Sequence, residues 1–91
     1  MTELEQYREE IDEIDQELTR LVELRLNTVL KVSRYKKQHN LSVLDASREK
    51  AIIKKNVSHL NDPQFEPQVL QFFQSLMSIT KETQTSLLEQ K

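Results

Sequence analysis

Arg25 stands where a run of apolar residues calls for a core side chain. From Leu4 the pattern runs through Tyr7, Ile11, Ile14, Leu18 and Leu21 in steps of three and four, and its continuation falls on positions 25, 28, 32 and 35. Lys36 follows Arg25 by eleven residues, about 20° away around a helix of ~100° per residue, so the two cations share one face. Asp45, Arg48, Glu49 and Ile52 fall at i, i+3, i+4 and i+7, which sets a guanidinium and a carboxylate beside an apolar stripe. Thr80 and Gln84 continue the line of 69, 72/73 and 76/77 and bring a hydroxyl and an amide to a core-facing row. Each has a structural explanation when taken singly. Arg25 and Lys36 can snorkel or pair with an acid of a neighbouring helix. Asp45 with Arg48 and Glu49 reads as a cap plus a helix ion pair, and Thr80 and Gln84 read as helix–helix polar contacts. Together they line a polar pocket inside a helical bundle, cationic but for one carboxylate. A desolvated guanidinium is costly unless an anion meets it, so the ligand this set implies is a small dianion with at least one hydroxyl for Glu49.

Such a pocket lacks the parts for acid–base or nucleophilic chemistry. There is no Cys, the hydroxyls have no evident base, and His39 and His59 fall at helix ends where solvent exposure is the expectation. No metal-ligand spacing occurs. If catalytic, the pocket works by orienting one molecule and stabilising charge that develops within it.

The elements that must position these residues are helical. The 91 residues include no Gly, no Cys, no Trp and two Pro. That removes Gly-rich phosphate loops, primed hairpin turns and disulfides, and agrees with a site built from helix faces. Five Ile, six Val, three Phe and two Tyr stand against thirteen Leu and abundant Glu, Gln and Lys, which favours an all-α chain. Thr2 with Glu5 forms a capping box, so the first helix begins at residue 3 and meets its first plausible stop near Asn40 to Ser42. Asp45 caps a second helix carrying Ile52, Ile53, Asn56, Val57 and Leu60, broken at Asn61-Asp62-Pro63. Pro67 suits the first position of a third helix carrying Val69, Leu70, Phe72, Phe73, Leu76, Met77, Leu87 and Leu88. The order is long, short, long, within a single domain over 1–91. A first helix of ~55 Å exceeds the roughly 30 Å diameter of a compact chain of this length, and the apolar share is only 36%. The expectation is an interlocked homodimer. The longest apolar run is three residues and the N-terminus is acidic, so neither a membrane span nor a signal peptide is expected.

Charge is unevenly spread. Residues 1–24 carry nine acidic and two basic groups, residues 25–55 carry two and nine. A basic middle raises nucleic-acid binding as a reading, but no aromatics interleave with the bases. Acids at the start and bases at the end of a long helix suit its dipole and antiparallel pairing with a second copy.

The string Arg8-x-x-Ile11-Asp12-x-Ile14-Asp15-x-x-Leu18, then Arg25, Lys36, Val43-x-Asp45-x-x-Arg48-Glu49 and Thr80-x-x-x-Gln84, closely resembles the AroQ-type chorismate mutases over essentially the whole chain. The resemblance implies an all-helical, intertwined homodimer with two equivalent sites, cytoplasmic and free of cofactor and metal. Its implied reaction is the Claisen rearrangement of chorismate to prephenate in aromatic amino acid biosynthesis. By the same resemblance Arg25 binds a substrate carboxylate, and Arg8 reaches another from the second subunit. Lys36 meets a carboxylate and the ether oxygen, to which Gln84 also donates. Glu49 accepts from the ring hydroxyl with backbone help near Asp45, Arg48 lines the site, and Thr80 lies by a carboxylate. Thr80 stands where many members have Ser, and Ser42 where a Pro is frequent. Isochorismate-pyruvate lyase of the same fold and a non-catalytic helical dimer that regulates a partner enzyme are the alternatives.

Overall fold

The computed structural model describes residues 2–89, with side chains through residue 86. Helix α1 covers Glu3–Gln38, α2 covers Ala46–Ser58, and α3 covers Glu66–Glu89, preceded by a single 3-10 turn at Pro63–Phe65. No strand occurs among the described residues, and none of the helices is long and apolar enough to cross a membrane. Each start has a local cause. The Thr2 hydroxyl accepts from the Glu5 N–H at 3.2 Å, Asp45 Oδ1 from the Arg48 N–H at 3.0 Å, and Asp62 Oδ1 from the Gln64 N–H at 3.1 Å. These satisfy amides that a first turn leaves without partners. The 3-10 turn runs directly into α3, so the helix begins at Glu66 and Pro67 is its second residue, one place later than the sequence pattern suggests.

With no glycine available, Asn40 ends α1. It takes φ 56°, and the Leu41 N–H reaches back to the Lys36 carbonyl at 2.8 Å while the Asn40 N–H reaches Lys37 at 3.3 Å. This is the Schellman arrangement with asparagine in the left-handed position.

Helix α3 is the central element, packed on both α1 and α2. The α2 face is the expected one, with Ile52, Ile53, Asn56 and Val57 half-buried, but the helix ends at Ser58, so Leu60, also half-buried, lies two residues past it and not on it as the sequence pattern suggests. On α3, Leu76 and Met77 are buried and Val69 and Phe73 partly so, whereas Leu70 and Phe72 stay exposed. The side chains of Leu87 and Leu88 lie outside the described residues. On α1 the covered face is not the continuation of the N-terminal seam. Leu26, Val29, Leu30 and Ser33 turn toward the interior, while Tyr35 faces out and stacks on His39 at 4.0 Å. Helical period alone does not say which side a neighbour will cover. His39 and His59 are both exposed.

The N-terminal half of α1 stands clear of the rest. Leu4, Tyr7, Ile11 and Ile14 are each more than half exposed, and the longest dimension of the chain is 56 Å.

Candidate active site

The three helices and the α1–α2 connection surround a cavity of about 480 Å³, within the range of small-molecule sites. Helix α1 contributes Arg25, Thr28, Val32 and Lys36, and α3 contributes Met77, Thr80, Lys81 and Gln84. From α2 come Arg48, Glu49 and Ile52, with the capping Asp45 and the loop residues Val43 and Leu44 before them. The seam positions 25, 28 and 32 therefore open onto the cavity and are not packed in a core.

The polar groups are held in place from several directions. Arg25 Nη1 donates to Thr80 Oγ1 at 2.7 Å, and that hydroxyl donates to the Leu76 carbonyl at 2.8 Å. The hydroxyl's single proton is thus spent inside α3, and its oxygen aims the guanidinium. Arg25 has no carboxylate partner among the described residues, and burial pulls its affinity for the proton below the ordinary arginine value. Lys36 Nζ donates to the Val43 carbonyl at 3.2 Å, which leaves two ammonium protons for a ligand. The same lysine's carbonyl receives Leu41 in the α1 stop, so one residue ties the end of the helix to the cavity wall. Gln84 is 8% exposed. Its amide makes no hydrogen bond to described residues, yet no buried polar side-chain atom lacks a partner among them, so the amide opens on the cavity.

Glu49 departs from the expected α2 ion pair. Its Oε1 lies 3.2 Å from Lys81 Nζ on α3, and Arg48 has its backbone N–H on Asp45. Arg48 and Glu49 are adjacent in sequence and so diverge by ~100° around the helix.

Arg25, Lys36, Asp45, Arg48, Glu49, Thr80 and Gln84 are thus brought to one cavity. Arg8 is not: it is exposed on α1, seventeen residues before Arg25, or ~25 Å along the axis at ~1.5 Å per residue. Two contributors escaped the sequence reading. Lys81 could have been found from its spacing, since 77, 80, 81 and 84 form one stripe. The Val43 carbonyl could not, because a backbone acceptor leaves no trace in residue types, and with Leu44 it makes the cavity wall partly a loop.

The arrangement is three cations without carboxylate partners, an amide donor, the Glu49 carboxylate paired with Lys81 and the helix-capping Asp45, around a partly open cavity. It can fix a dianion by charge, orient a hydroxyl and donate to an oxygen that gains negative charge. No curated protein and no solved structure matches the chain. Residues 7–85, a span reaching from just before Arg8 to just past Gln84, match the family model of chorismate mutase type II, and the chain belongs to that family.

Proposed function

We propose that the protein is a chorismate mutase, which converts chorismate to prephenate by a unimolecular Claisen rearrangement. The family's activity is of this kind, and the observation that carries the proposal is the convergence of Arg25, Lys36, Glu49 and Gln84 on one cavity. In the rearrangement the ether C–O bond breaks as a C–C bond forms, all within one molecule, so no external proton, nucleophile or co-reactant is consumed. The substrate brings two carboxylates, one ether oxygen and one ring hydroxyl. Arg25, aimed by Thr80, takes one carboxylate. Lys36 bridges a carboxylate and the ether oxygen, and the Gln84 amide donates to that oxygen on another side. Glu49 accepts from the ring hydroxyl, and Arg48 adds positive potential at the wall. Partial negative charge grows on the ether oxygen at the transition state, and donors already fixed in the cavity wall stabilise it without the reorganisation that water requires. Holding the molecule in its compact diaxial form supplies the remaining advantage.

The proposal includes an intertwined homodimer in which Arg8 serves the cavity of the second copy. The ~25 Å between Arg8 and Arg25 keeps it from its own cavity, and the exposed seam beside it suits burial against another chain.

Incubating the protein with chorismate and with isochorismate and identifying the products by NMR tests the reading. Prephenate from chorismate is expected. Salicylate and pyruvate from isochorismate, with no prephenate from chorismate, would establish the lyase instead.

A further inference from the structure

Lys81 lies on the cavity-facing stripe of α3, one turn from Met77 and three residues before Gln84. Its pair with Glu49 is the only ion pair among the described residues that joins two elements. The acid is the more enclosed partner, its side chain 22% exposed against 50% for the lysine. Glu49 faces into a space that collects anions, where an incoming dianion opposes its charge. Arg25 is turned to Thr80 and Lys36 to Val43, so of the four cavity cations only Lys81 touches a carboxylate. The pair leaves Glu49 Oε2 without a protein partner among the described residues. It also keeps the carboxylate off the cations that a ligand must reach.

We propose that Lys81 is a positioning residue of this site: its ammonium holds Oε1 of Glu49 so that Oε2 is free and oriented to accept the ligand hydroxyl. The inference rests on the mutase reading through that hydroxyl. The hydroxyl is unchanged by the rearrangement, so its contact is made equally with bound substrate and transition state, and losing its orientation acts on KM more than on kcat.

The test is steady-state kinetics with chorismate on the unaltered chain and on Lys81→Met, Lys81→Arg, Glu49→Gln and the Lys81→Met/Glu49→Gln double variant. Lys50→Met serves as control, since it removes an equal charge next to Glu49 but outside this cavity. Lys81→Met is expected to raise KM about fivefold with kcat nearly unchanged, a size set by the half-exposed lysine. Lys81→Arg should restore KM, Lys50→Met should leave it alone, and the double variant should be no worse than Glu49→Gln. An unchanged KM in Lys81→Met, or an equal loss when Lys81→Met is added to Glu49→Gln, overturns the role of Lys81 while the mutase reading stands. Absence of chorismate turnover by the unaltered chain overturns both.

Discussion

Arg25 carries its guanidinium into a half-buried position against a threonine hydroxyl and no acid. Desolvation without a counter-charge weighs against the charged form, the sense of its lowered proton affinity. Its pairing anion must arrive with the ligand. Arg25→Met, of similar reach and apolar, should therefore melt at or above the temperature of the unaltered chain without ligand, while its turnover of chorismate falls by about 10²-fold or more. Thermal melts by circular dichroism beside a prephenate assay check both halves, and a lower melting temperature would show that Arg25 is structural. At this scale the sequence was informative wherever a residue broke a pattern: Arg25, Lys36, Thr80 and Gln84 stand out against an apolar stripe. It was uninformative about hydrogen-bond direction. Nothing in the residue types tells that Thr80 spends its proton on Leu76, or that Glu49 pairs with Lys81 across two helices and not with its neighbour Arg48.

Asn40 is where element geometry reaches the site. Its positive φ closes α1, turns the chain toward Val43, and so sets the carbonyl that receives Lys36. A Cβ without asparagine's local hydrogen bonding is costly in that region. Asn40→Ala should lower unfolding free energy by about 1 kcal/mol at fixed protein concentration, and Asn40→Gly should match or exceed the unaltered chain. Denaturant unfolding measures both, and equal stability of the alanine variant would remove the strain argument. The starts of α1 and α2 were legible from Thr2 and Asp45 because capping is local chemistry, whereas Asn61-Asp62-Pro63 was legible only as a break and not as the capped 3-10 turn that leads into α3. The α1 stop was legible only as a polar stretch, since the left-handed asparagine depends on how Lys36 and Lys37 carbonyls are satisfied. The face that α1 buries beyond residue 25 was not legible. Leu26, Val29, Leu30 and Ser33 have the same helical period as the seam before them, and α3, not period, chooses between the two.

Over the whole molecule, the radius of gyration is 16.6 Å, against ~12 Å for a compact chain of this length. The excess is the protruding half of α1, with Leu4, Tyr7, Ile11 and Ile14 open to solvent and Arg8 among them. The sequence foretold this length and this bare seam, because both follow from uninterrupted helical pattern without Gly or Pro. We assign the cover of this seam to a second copy, whose cavity Arg8 completes. Arg8→Ala and Lys36→Ala, each folded and each reduced about 10²–10³-fold in forming prephenate, test that assignment when mixed, unfolded and refolded together. Random pairing makes about half the dimers hybrid, each with one intact site, so about a quarter of the original prephenate-forming activity should return. Hybrids demonstrated by mass, with no activity above that of the two parents, would contradict a site shared between copies.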